Sequence, residues 1–176
     1  EFIRRGKTLD LTLDLSVDET DRKYGLDWEN FLKNSKCVLG VESGASIIDF
    51  DGKLESIVDM YVDENPNASF DEVHSLFLKE FEGSLKLNQI SPRCFEAAAL
   101  RTVMILFEGE YSGVLQPNRH YIPLKKDFSN FNEVISKVKD TEFLQNIANI
   151  TYNEIACNPN YSYRKYCKRQ CSNSFI

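Results

Sequence analysis

Ser91-Pro92-Arg93-Cys94-Phe95-Glu96-Ala97-Ala98-Ala99-Leu100-Arg101-Thr102 runs without a break into Val103-Met104-Ile105-Leu106-Phe107. The first part reads as a helix. Ser91 is a good N-cap, and Pro92 falls at the first helical position, where its missing N–H costs nothing. Cys94, Phe95, Ala98 and Ala99 make one apolar face at helical spacing, while Arg93 and Glu96, three residues apart, share the opposite side. The second part reads as a buried strand, so the pair is half of an α/β unit. A helix start attracts anions through its free N–H groups. With a carboxylate in its early turns it suits the phosphate and ribose of a nucleotide.

Working outward, Lys36-Cys37-Val38-Leu39-Gly40-Val41 is the continuously apolar run expected of a parallel strand covered on both faces. Leu26 to Asn34 predicts a short helix before it. Leu9, Leu11, Leu13 and Leu15 alternate with Asp10, Thr12 and Asp14, the pattern of a strand with one wet face. A helical insertion occupies about residues 45–88. In it Leu54, Ile57, Val58, Tyr61 and Val62 follow helical spacing, Asn65-Pro66-Asn67 makes a turn, and Ser69-Phe70-Asp71-Glu72 is a capping box opening a second helix through Val73, Phe77 and Phe81. This helix pair is either a surface embellishment or a flap near a cleft. Further on, His120 to Leu124 reads as a short strand and Asn130-x-x-Glu133 as a helix start. Asp140 or Thr141 opens a long helix bearing Phe143, Leu144, Ile147 and Ile150, and Asn158-Pro159-Asn160 breaks it before a last helix. The alternation predicts an α/β class: a Rossmann-like parallel sheet flanked by helices, in a single domain over 1–176.

Composition sets bounds on partners. With 176 residues, 42% of them hydrophobic, the chain can bury the core of one domain. No apolar run is long enough to cross a membrane. The start at Glu1, without Met or an apolar leader, predicts a fragment of a longer protein. A net charge of −6 argues against general nucleic-acid binding. Residues 161–176 carry Arg164, Lys165, Lys168 and Arg169 and no acid. That segment is either a solvated helix face or a contact for an anionic membrane surface or a pyrophosphate-linked lipid. Five cysteines form an odd set without a framework, which favours reduced thiols and a cytoplasmic location, at most against the inner face of the membrane. Cys157, Cys167 and Cys171 cluster near the end, but with only His74 and His120 in the chain no metal set is complete, and neither metal nor cofactor is expected.

The opening stretch also carries a resemblance. Phe95 to Thr102 resembles the E-A-M-A-x-G-T helix of GT-B-fold, nucleotide-sugar-dependent glycosyltransferases, the enzymes that build bacterial cell-surface polysaccharides. Lys36 to Ser43 is similar to their A-D-V-F-V-x-P-S strand, His120-Tyr121-Ile122-Pro123-Leu124 to their glycine-leucine-valine-proline strand, and Tyr161-Ser162-Tyr163-Arg164-Lys165-Tyr166 to their F-S-W closing helix. The order of these elements matches over roughly residues 24–170. The resemblance implies the C-terminal, donor-binding part of a GT-B fold. Such a domain binds a nucleotide-diphospho-sugar without a metal, and the enzyme passes the sugar to a polysaccharide or lipid-linked acceptor. It implies ribose binding by Glu96 and diphosphate binding by Arg93, Ser91 and the N–H groups of the helix start. Asn88 stands where many members have a second Glu.

Two loops are further candidates. In Glu108-Gly109-Glu110-Tyr111-Ser112-Gly113, Gly109 and Gly113 would let the backbone approach phosphate or sugar while Tyr111 and Ser112 offer hydroxyls. A plain turn with positive φ at both glycines explains them equally well. Glu42-Ser43-Gly44, at the end of the Lys36 to Val41 strand, faces phosphate or acceptor, or is a simple loop. Asp49-Phe50-Asp51-Gly52 fails the spacing of a calcium loop and reads as a turn and helix cap. Gly6-Lys7-Thr8 lacks the first glycine of a P-loop, and Ser112 lacks the Gly-x-Ser-x-Gly setting of a hydrolase. The rival from another class is a non-catalytic α/β interaction module, docking through the helical insertion and the basic tail. A transferase places Arg93 and Glu96 at a cleft; a module leaves them on an outer face.

Overall fold

The computed structural model describes residues 1–7, 9, 11–83, 85, 87–162 and 165. Its centre is a three-stranded parallel sheet in the order β1 (Cys37–Gly40), β2 (Val103–Phe107), β3 (Ile122–Leu124). Cys37 pairs with Val103 and Gly40 with Leu106; Ile105 pairs with Ile122 and Phe107 with Leu124. The α/β class and the parallel sheet flanked by helices are therefore as the periodicity predicts.

Because β2 alternates its side chains between faces, it feeds two cores. Val103 and Ile105 join Ile122, Leu124 and the apolar stripes of α6 (Phe131–Lys139) and α7 (Thr141–Thr151). Met104 and Leu106 join Cys94, Ala97 and Ala98 of α5 (Pro92–Ala99), together with Tyr111, Tyr121 and Ile155. Of the three strands β2 is the best covered, with four of its five residues buried. β1 and β3 are both edges, and all four residues of β1 are half-buried, less than the double coverage expected from its apolar run.

The helix starts show which sequence signals hold. Ser91 caps α5, its Oγ accepting the Arg93 N–H at 3.4 Å. Asp140 caps α7 by accepting the Phe143 N–H at 2.9 Å. Asn130 does not cap α6 with its side chain. Its Oδ1 accepts the Lys125 N–H and its Nδ2 donates to the Pro123 carbonyl, both at 2.9 Å, tying the loop back to β3. The buried face of α5 is also rotated from the expected one: Ala97 is fully buried and Ala99 is exposed.

Two segments differ from expectation. Residues 11–18 form no strand, yet Leu11, Leu13 and Leu15 are half-buried between exposed neighbours, and Leu9 and Leu11 pack on the α6–α7 core. The alternation reported a chain lying over a core, without a ladder partner. Before it stands α1 (Phe2–Gly6), whose Phe2 ring meets Phe131 edge-on at 5.2 Å. It is followed, after a 3₁₀ turn, by α2 (Gly25–Asn34), with Leu32 buried.

The insertion contains the helices foreseen, α3 (Lys53–Glu64) and α4 (Phe70–Val73), the latter running on as a π turn, His74–Leu78. Asp49 Oδ2 accepts the Glu55 N–H at 2.8 Å and Asp51 Oδ1 the Lys53 N–H at 3.3 Å, so Asp49 to Gly52 is a turn and cap. Ser69 Oγ accepts the Glu72 N–H at 3.2 Å, but Glu72 accepts the Tyr61 hydroxyl at 2.8 Å instead of closing the capping box. The closing helix and the basic tail lie, but for Tyr161, Ser162 and Lys165, outside the described residues. Among the described residues no helix is long and apolar enough to cross a membrane.

Candidate functional site at the carboxyl edge of the sheet

β1 and β2 are parallel, so the loops after them leave the same edge of the sheet. α5 runs back toward the start of β2, so its own start lies at that carboxyl edge, where open α/β sheets bind ligands. The chain entering α5 is threaded between the two loops. Ser43 and Gln89 exchange backbone hydrogen bonds at 2.8 and 2.7 Å, and the Ile90 N–H donates to Ser112 Oγ at 3.1 Å.

Glu42 is the hub of this edge. Its Oε1 accepts the N–H groups of Glu110 at 3.0 Å and Tyr111 at 2.7 Å; its Oε2 accepts Asn88 Nδ2 at 3.0 Å. Glu110 is right-handed helical and Tyr111 has φ 45, the alternation that turns successive N–H groups toward one point as an anion-binding nest. The nest is filled by the protein's own carboxylate. Gly109 is required for that contact, since a Cβ there would stand 2.6 Å from Glu42 Oε2. Asn88, read in sequence as a departure from a paired-Glu pattern, has a definite role here as the donor to Glu42.

The remaining predicted residues divide. Gly44 (φ 145) lets the chain pass against Leu87, whose carbonyl oxygen a Cβ would meet at 1.5 Å. Tyr111 is fully buried and its hydroxyl donates to the Phe107 carbonyl at 2.6 Å, so it belongs to the core beneath the loop. Burial pushes its phenol well above the usual range. Left-handed backbone occurs at Tyr111, Ser112 and Gly113, not at Gly109 as the turn reading expected. Ser43 and Ser112 serve the loop-to-loop contacts already given.

Arg93 and Glu96 stand together on the exposed side of α5, joined through Trp28 of α2. The indole N–H donates to Glu96 Oε2 at 2.7 Å, and the Arg93 guanidinium lies 5.2 Å from the centre of a Trp28 ring. Phe31 stacks on Trp28 one turn later at 5.6 Å. Sequence reading missed Trp28; a lone Trp on a short amphipathic helix carries no signal of the helix it will meet.

A second cluster lies on a shallow cavity of about 490 Å³ beside the π turn Tyr152–Ala156 that prolongs α7. Buried His120 accepts the Gln116 N–H on Nδ1 at 3.0 Å, so its Nε2 carries the proton it shares with Glu154 at 2.9 Å. Arg119 binds the same carboxylate through two nitrogens. These partners, Arg119 first, hold the Glu154 carboxyl down at about 2. Both imidazole nitrogens are hydrogen-bonded, so Gln116 and Glu154 fix the orientation of the ring.

Among the described residues no group of three or more His, Cys, Asp and Glu could hold a metal ion, and no buried side-chain polar atom lacks a partner. No protein-family model, no curated protein and no solved structure matches the chain.

Proposed function

We propose that the chain is the donor-binding part of a GT-B-like glycosyltransferase, which moves a sugar from a nucleotide-diphospho-sugar to a polysaccharide or lipid-linked acceptor. One observation carries the reading. α5 starts at the carboxyl edge of a parallel sheet, between the loops that end β1 and β2, and brings Arg93 and Glu96 side by side on one surface. A carboxylate can accept both hydroxyls of a ribose, and a guanidinium presents a planar fork to a diphosphate. In this reading Trp28 orients both side chains, and Glu42 braces the edge without touching donor.

Calorimetric titration with UDP, GDP and CDP tests the proposal. Saturable binding of one nucleotide, weakened about tenfold or more by Arg93→Ala and by Glu96→Gln, is the expected result. Binding that neither substitution alters would overturn the site, and no binding up to millimolar nucleotide would overturn the donor role for this chain.

A non-catalytic interaction module is the second reading, and a specific observation favours it. Arg93 and Glu96 are exposed, and neither lines the cavity beside the π turn or the groove of the insertion.

A further inference from the structure

The insertion combines exposed apolar side chains with an excess of acid. Ten of the fifteen large apolar residues exposed among the described residues lie within 45–88. No residue of α3 is buried, with Ile57 50% and Met60 65% exposed; on the facing turn Leu76 is 57% exposed. Between α3 and that turn runs an open groove of about 830 Å³, walled by Leu54, Ile57, Leu76 and Phe77. The same stretch holds ten acidic residues against three lysines, a net of −7 in a chain whose total is −6. The groove wall itself carries Asp49, Asp51 and Glu80 against Lys53, which pairs with Asp51 at 2.5 Å, and Lys79, so most of the acid lies around the groove.

From this combination we infer that the α3–α4 insertion is a docking surface for a cationic amphipathic helix of a partner protein. An apolar groove of this kind takes the apolar face of a helix. The surrounding charge then selects among occupants. A second copy placed face to face would bring together two segments of net −7 each, and an anionic lipid surface would be repelled. A helix with Leu-like residues on one face and Lys or Arg on the flanks satisfies both the groove and its field. The inference stands independently of the donor site.

The test uses the intact chain and a fluorescent amphipathic peptide with Leu on one face and Lys on the other. Its counterpart with Glu in place of Lys is the control. Saturable binding of the Lys peptide at micromolar concentration is expected, weakened about tenfold by Ile57→Asp or Leu76→Asp and by about 0.5 M salt. Both residues are exposed, so the variants should keep the parent thermal midpoint. Amide shifts of Ile57, Ser75 and Leu76 should move on titration. Absent binding, equal binding of the Glu peptide, or indifference to both substitutions would overturn the inference. Dimerisation of the free chain that these substitutions abolish would assign the surface to a second copy instead. Binding to neutral phosphatidylcholine vesicles would assign it to lipid. Either result would overturn the inference too.

Discussion

Arg101 closes α5 with φ 58, left-handed backbone that costs an L residue about 1 kcal/mol or more. The guanidinium recovers part of that cost. It lies 3.8 Å from the Tyr152 ring centre and donates to Asn149 Oδ1 at 2.6 Å, fastening α5 to α7. Two substitutions separate the terms. Arg101→Ala keeps the strain and loses the stack, and should destabilise by about 1–2 kcal/mol. Arg101→Gly loses the same contacts but relieves the backbone, and should be about 1 kcal/mol more stable than the Ala variant in urea unfolding. That order is the reverse of the one in a helix interior.

Among elements, the contact that matters most at the candidate site is the one Glu42 makes between β1, the loop after β2 and the approach to α5. Glu42→Ala strands two backbone N–H groups and the Asn88 amide. It should cost about 2 kcal/mol by chemical denaturation, with Glu42→Gln losing less because one amide oxygen still accepts. This bridging carboxylate was only half legible. The residues from Glu42 to Gly44 and from Glu108 to Gly113 could be picked out because each follows an apolar strand, and strand ends are where loops carry function. Which partner each would choose was not readable, because Glu42 and Tyr111 lie 69 positions apart. For the same reason the Glu96–Trp28 contact was out of reach, whereas the Ser91 cap, being local, was plain. The Leu9 to Leu15 alternation gave burial correctly and structure wrongly: period two describes any extended chain with one covered side. The short sheet, too, follows from nothing in the apolar runs, which say how well a strand is covered but not how many neighbours it has.

At the scale of the whole molecule, charge is arranged unevenly, with the acid gathered in the insertion and the α/β body close to neutral. The body has its own electrostatic clasp, Glu154 with Arg119 and His120, joining the π turn after α7 to the chain leading into β3. A carboxyl whose pKa is lowered on folding contributes stability that is present above its unfolded value of 4.5 and is lost as pH falls toward about 2. The expected outcome is an acid-induced drop in thermal midpoint between these limits that is smaller in Glu154→Gln. A drop of equal size would show that the clasp contributes nothing. The paired backbone bonds of Ser43 and Gln89 have a wider consequence. They bring the two ends of a segment of more than forty residues to one point, like the waist of a pouch. Closing a loop costs only about 0.6 kcal/mol more for each doubling of its length. What hangs beyond the waist can therefore grow, shrink or exchange its surface over generations while the sheet beneath it goes on folding unchanged.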